Sequence, residues 1–313
     1  MVSRLFYYFL LSIFISLAYA FIFALHKRGN GSSFGDIMRR IFILFFTVSV
    51  LFANLLHAER AERKVGIQTF TFAKQTIEEL LPLVRECGVD AIGLSRHALS
   101  KKYPDAMVEP SMSDEQKAFL KKILADNKIK VVSYGVSTPT TENAIRKLLS
   151  FVKEFGADTV IAEPSADKLP LWNKLCAEYG MKVAVHNHGK DAKRNAAFSD
   201  PKFVASMIAD YPNVYACPDT GHWGRSGVNA VEGFKTLENK IGIVHFRDMS
   251  AYGLSAYDVP FGTGAMNVDA MLAELDRQKF DGWLLLEYIG WWKNTPAQKL
   301  DEVKRSVEYL KAH

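Results

Sequence analysis

The chain has 313 residues, 49% of them hydrophobic, and a net charge of +5; residues 1–58 carry +4 of it (Arg4, Lys27, Arg28, Arg39 and Arg40 against Asp36), leaving +1 for the rest. A near-neutral body of this length can bury a large core, and it lacks the basic footprint of a nucleic-acid binder. Three scattered cysteines, Cys87, Cys176 and Cys217, exclude a thiolate zinc site or a disulfide framework and read as buried, inert thiols.

Leu5 to Leu25 is an apolar run long enough to span a bilayer. A polar, Gly/Ser-rich break follows, then a second apolar run from Ile41 to Leu56. Met38-Arg39-Arg40 before that run and Ala58 after it give the layout of a secretory signal. The expectation is a signal peptide or signal anchor over 38–58, with 1–37 an over-extended start or a transmembrane helix. In both cases residues 59–313 lie outside the cytoplasm, periplasmic or secreted. The membrane is touched only through residues 1–58, if these are not cleaved.

From Lys64 onward, short β-branched runs alternate with segments of helical period. The expected strands are Val65–Thr69, Ala91–Leu94, Lys130–Tyr134, Thr159–Ala162, Lys182–His186, Val214–Cys217, Ile243–Phe246 and Trp283–Glu287. Between them, Ser113 and Gln116 form a capping box. Gly88, Gly156 and Gly180 mark helix C-termini, and Asp200-Pro201 opens a helix. Helices are also expected over Val228–Asn239, Val268–Lys279 and Gln298–Ala312. Eight such units in about 250 residues predict an α/β fold, a (β/α)8 barrel. A doubly wound open sheet would carry a Gly-rich turn after its first strand, and Gln68-Thr-Phe-Thr-Phe72 has none.

Active sites of such barrels lie at the C-terminal strand ends. Five consecutive strands end in ionisable residues: Glu163-Pro164, His186-Asn-His188-Gly, Asp219-Thr-Gly-His222, His245-Phe-Arg247-Asp248 and Glu287-Tyr288. Alone, Asp219 in its turn would be a cap for the next segment, and Arg247 would pair with Asp248. Four of the eight histidines at corresponding strand ends instead suggest an oxygen-rich metal site with imidazole. Trp223, Trp291 and Trp292 lie near the same rim, where stacking on a sugar and ordinary burial are equal readings.

The ordered phrases Ile67-Gln68, Val-His-Asn-His-Gly189, Pro-Asp-Thr-Gly-His222, Val-His-Phe-Arg-Asp248, Pro260-Phe-Gly-Thr-Gly264 and Leu-Leu-Glu287-Tyr resemble the xylose-isomerase-like TIM barrels, the sugar phosphate isomerase/epimerase group. The resemblance covers residues 64–312 and none of 1–58. It implies one divalent ion (Mn, Mg, Co or Zn) held by Glu163, Asp219, His245 and Glu287. His222 would contact substrate hydroxyls, and His186, His188, Arg247 and Trp223 would line the pocket. Many relatives place the first metal glutamate at the end of strand five, where this chain has His186. Glu163 and His186 are therefore rival candidates for the first ligand, with Glu163 favoured. Arg247 stands where many relatives have lysine.

The implied chemistry is metal-dependent proton abstraction beside a carbonyl, through an enediolate, with Glu163 and Glu287 as catalytic carboxylates. Isomerisation or epimerisation of a carbohydrate is the expected outcome. Loss of a β-substituent from a keto-sugar or 3-keto-glycoside, a lyase or dehydratase reaction, is the alternative. A non-catalytic sugar-binding barrel is the rival of another class.

Overall fold

The structure is a computed structural model; it describes residues 63–191, 196–290 and 294–313, together with Ile43. Both N-terminal apolar runs, the expected start at Met38, and Trp291 and Trp292 lie outside the described residues. No helix among the described residues is long and apolar enough to cross a membrane.

Arg63–His313 is one compact unit. Its eight main strands are β1 (Val65–Gln68), β2 (Ala91–Leu94), β3 (Lys130–Tyr134), β4 (Thr159–Ala162), β5 (Lys182–His186), β6 (Val214–Cys217), β7 (Ile243–Phe246) and β8 (Trp283–Leu286). They form one parallel sheet in the order β6-β5-β4-β3-β2-β1-β8-β7. Parallel bridges Ala216↔Ile241 and Asp219↔His245 join β6 to β7 and close the ring. The expected (β/α)8 barrel is therefore present, with each strand within a residue of its expected bounds.

The helices start where side chains can satisfy free backbone amides. Thr76 with Glu79 and Ser113 with Gln116 form capping boxes at the starts of α1 (Ile77–Glu86) and α2 (Asp114–Asp126). In α3 (Glu142–Glu154), Ile145, Leu148, Leu149 and Val152 recur at helical spacing and are all buried. Truncating any of them to alanine would cost about 2–5 kcal/mol. Helix α4 (Leu169–Tyr179) ends at Gly180, whose φ of 63° is left-handed and suits glycine. Asp200 caps α5 (Pro201–Ile208), as its Asp-Pro pair predicts.

Four elements differ from expectation. Residues 98–107 and 248–259 contain two-stranded antiparallel ribbons that follow β2 and β7 in the chain. The polar turn expected after Asp219 is a helix, α6 (Thr220–Ser226). The helix expected over Val228–Asn239 is shorter, α7 (Ala230–Thr236), because Asn229 caps it by accepting from Val231 N and Glu232 N. Helices α8 (Val268–Arg277) and α9 (Pro296–Ala312) complete the outer layer.

Two cores result. The larger packs helices against the outside of the sheet. The smaller fills the barrel with Ala91, Val132, Ile161, Ala184, Cys217, Ile243 and Leu285. The three cysteines are free and buried, and burial pushes the Cys87 and Cys176 thiols up to about 12.

Candidate functional site

Side chains alternate in direction along a strand. Two residues beyond Ile161, Ala184, Cys217, Ile243 and Leu285 of the inner core stand Glu163, His186, Asp219, His245 and Glu287. The apolar layer is thus the floor of a polar one. All five of these polar residues are buried.

Potential ligand atoms of His186, Asp219, His245 and Glu287 lie within 4.8 Å of one another. His186 Nε2 is 3.7 Å from Asp219 Oδ2. His245 Nδ1 is 3.9 Å from the same oxygen and 2.8 Å from Glu287 Oε2. Glu163 stands outside this group of four, in a second group with His186 and His188. His186 Nδ1 is 3.0 Å from Glu163 Oε1. Because an ionised carboxylate only accepts, that contact puts a proton on Nδ1 and turns Nε2 toward Asp219. Burial opposes the charge on the ring, but Asp219 and Glu163 together outweigh it and raise His186 to about 9. His188 Nδ1 lies 2.6 Å from the same Glu163 oxygen, with 42% of its side chain exposed.

Asp219 serves the fold and the cluster with different atoms. Its Oδ1 accepts from His222 N at 2.7 Å and caps α6, while its Oδ2 faces the two histidines. Capping and cluster membership therefore coexist. Its backbone is fixed by Asn187, whose side chain accepts from Asp219 N at 2.8 Å and donates to Asp219 O at 3.2 Å. Asn187 is not among the residues expected at the site; its place between His186 and His188 is the signal the sequence offers for it. Thr220 Oγ1 accepts from Arg247 N and donates to Arg247 O, at 2.7 and 2.8 Å, tying the end of β6 to that of β7.

Two residues expected in the pocket are committed elsewhere. Trp223 is 1% exposed; its ring packs on Phe234 and over Gly233, so burial is the correct alternative for it. Arg247 is buried and pairs with Asp258, not with Asp248: Nε to Oδ1 is 2.7 Å and Nη2 to Oδ2 is 3.0 Å. Its remaining nitrogen, Nη1, faces Asp219 at 3.3 and 3.4 Å. Asp248 instead accepts from Gly262 N, Gly264 N and Met266 N, so the Pro260–Gly264 phrase folds into a cradle for that carboxylate. Gly221 is required by close approach, since a Cβ there would lie 2.3 Å from Arg247 Nε.

Burial opposes ionisation of Asp219, but Arg247 and the neighbouring histidines together outweigh it and hold the carboxyl well below its ordinary range. For Glu163, burial is likewise outweighed, by the contacts of His186 and His188, and the carboxyl is held far down. Burial lowers His222 to about 4, with Asp219 opposing the shift. Its ring lies 5.8 Å from that of His186 and 5.0 Å from that of His188.

The donor set fits a divalent ion. His186 Nε2 and both nitrogens of His245 are buried with no hydrogen-bond partner among the described residues; Glu287 approaches His245 without hydrogen-bond alignment. Buried polar atoms left in this state are costly. An ion held by two imidazoles and two carboxylates would satisfy His186 Nε2 and one nitrogen of His245 while balancing a double positive charge.

Residues 81–313 match the model of the xylose isomerase-like TIM barrel family, and the chain belongs to that family. An inosose dehydratase of Clostridium beijerinckii is 28% identical over 138 residues, covering 39% of this chain and 45% of that protein. The chain thus spans less than half of that curated relative. Among solved structures, an uncharacterised protein of Parabacteroides distasonis is 28% identical, with a TM-score of 0.64 over 80% of this chain and 99% of its own. A xylose isomerase-like TIM barrel protein of Mycobacterium smegmatis, in complex with magnesium, is 14% identical, with a TM-score of 0.61 over 80% and 96%.

Proposed function

We propose that this chain is a divalent-metal-dependent enzyme acting on a small carbohydrate by moving a proton beside a carbonyl, as an isomerase or epimerase, or as a dehydratase. The observation that carries the reading is the buried group of His186, Asp219, His245 and Glu287, with imidazole nitrogens left without hydrogen bonds. Family membership and the partial likeness to an inosose dehydratase support the substrate class.

His186, rather than Glu163, is the fourth ligand in this proposal, and Glu163 orients it. A carboxylate behind a ligating histidine fixes its tautomer and raises its basicity, and Glu163 stands in that relation to His186. An ion held there would supply Lewis acidity toward a carbonyl and its neighbouring hydroxyl.

The chain's own residues do the remainder. His188, partly exposed and backed by Glu163, moves the proton through its Nε2. His222, kept neutral by burial, offers its unpartnered Nδ1 to a substrate hydroxyl. Arg247, closed in by Asp258 and Asp219, holds charge and not substrate.

Metal analysis of purified protein, followed by solvent-deuterium uptake across free sugars and 3-keto sugars, tests the reading. Bound metal with exchange into one sugar class is expected. A metal-loaded protein that exchanges no deuterium would instead be a sugar-binding barrel without turnover. Export is part of the same proposal, on the Met38–Ala58 layout; N-terminal sequencing from the native cell should find a chain starting near Glu59.

A further inference from the structure

Asp258 belongs to the short ribbon after β7, where Asp258–Val259 pairs with Asp248–Met249. It is 2% exposed, and its carboxylate is fully engaged. It accepts from Arg247 Nε and Nη2 at 2.7 and 3.0 Å, and from Ile289 N and Gly290 N at 3.1 Å each. Its carbonyl accepts from Tyr288 OH at 3.2 Å. One residue therefore joins the guanidinium beside Asp219 to the backbone that follows Glu287.

We propose that Asp258 is a positioning residue that restrains Arg247 and so leaves the Asp219 carboxylate available to a divalent ion. This rests on the reading of His186, Asp219, His245 and Glu287 as a metal centre. A guanidinium binds a carboxylate best through two parallel hydrogen bonds. Arg247 gives that bidentate edge to Asp258 and reaches Asp219 only through Nη1, at 3.3–3.4 Å. Gly221 lets the guanidinium lie flat against the first turn of α6, where a Cβ would come within 2.3 Å of Nε. Without the Asp258 charge, Asp219 is the one carboxylate among the described residues still hydrogen-bonded to Arg247. The guanidinium then closes on it and occupies the lone pairs a cation needs. Restraint by Asp258 thus decides whether Asp219 is a salt-bridge partner or a ligand.

The test is titration of the full chain with Co²⁺, read by visible absorbance, with thermal stability measured in parallel, for the parent, Asp258→Asn, and Asp258→Asn with Arg247→Met. The expected result is folded Asp258→Asn with Co²⁺ affinity weakened about tenfold or more. The double variant, which removes the competing cation, should return to within about threefold of the parent. A merely structural Asp258 would lower the melting temperature and leave the affinity of the folded protein unchanged, and that result overturns the proposal. So does a double variant as weak as the single one. If Asp258→Asn does not fold, the double variant decides alone: near-parental affinity supports restraint through Arg247, while weak binding or failure to fold overturns it. A parent that binds no Co²⁺ would sink the metal centre itself, an outcome distinct from a parent that binds and a variant that binds equally well.

Discussion

Strands β1–β3 and strands β4–β8 present the same alternation to the same barrel interior, yet their chemistry differs. The first arc brings Gly66, Gln68, Gly93 and Ser133. Gln68 donates to Gly135 O at 3.0 Å, and positions 66 and 93 have no room for a Cβ against Leu285. The second arc brings Glu163, His186, Asp219, His245 and Glu287, equally buried. Geometry at a strand end therefore does not make a reactive site; residue choice does, and it is confined to one side. The physical reason is the cost of an unpaired charge. A neutral buried group without a partner, such as Ser133 Oγ, costs about 1–3 kcal/mol. An ionised one costs far more, so the charged arc is built of groups in mutual contact.

The largest break of this contrast is Asp219→Ala. It removes the α6 cap, worth about 1 kcal/mol, and one partner of a buried ion pair, which costs about 3–5 kcal/mol. Calorimetry should show a loss of that order, and metal analysis should find the protein empty. A variant that kept both stability and metal would place the site elsewhere.

Within the charged arc, His186→Gln and Glu163→Gln should now differ in the order opposite to that favoured from sequence. Loss of His186 removes a ligand and should abolish metal binding. Loss of the Glu163 charge should weaken it about 10–100-fold. Parallel metal titrations decide between them; normal binding by His186→Gln with none by Glu163→Gln would return Glu163 to the ligand set.

A smaller effect separates the arcs by pH. His222 is lowered to about 4 in the folded chain, mainly by burial, against about 6.5 unfolded. Between these values the unfolded state binds more protons. The contribution is full above about 6.5 and is lost as pH falls toward 4. His222→Gln should flatten this acid limb of the melting temperature, and an unchanged slope would place the cause in another group. At the neutral arc, Ser133→Ala removes only an unpartnered hydroxyl. Relief of that unpaired group should raise stability by about 1 kcal/mol, the low end of its cost, and leave metal affinity alone.

The strands and the five polar ends were legible because parallel strands buried on both faces read as unbroken apolar runs, and their termini stand out against them. The choice between Glu163 and His186 was not. They end adjacent strands, and the proposal of His186 as ligand turns on the orientation of its ring, with Nδ1 on Glu163 and Nε2 toward Asp219. Asp258 was invisible for a related reason: it lies 11 positions after Arg247, in a ribbon whose two-residue strands leave no periodic signal. Trp223 misled because in a helix the residue next to His222 is turned about 100° from it, here onto the face that packs on Phe234.

The ring of strands has a clasp. Between β6 and β7 the chain is fastened by Ala216 N to Lys240 O, Gly242 N to Ala216 O and His245 N to Pro218 O, with Thr220 sewing the last stitch to Arg247. Asp219 and His245 face each other across that fastening. An ion gripped by both would act as a rivet through the clasp, contributing to mechanical closure of the whole ring as well as to chemistry at its rim. Amide hydrogen exchange at Ala216, Gly242 and His245 should therefore slow on metal addition far more than at β2 or β3. Equal slowing around the ring would mean that the clasp is already shut without it.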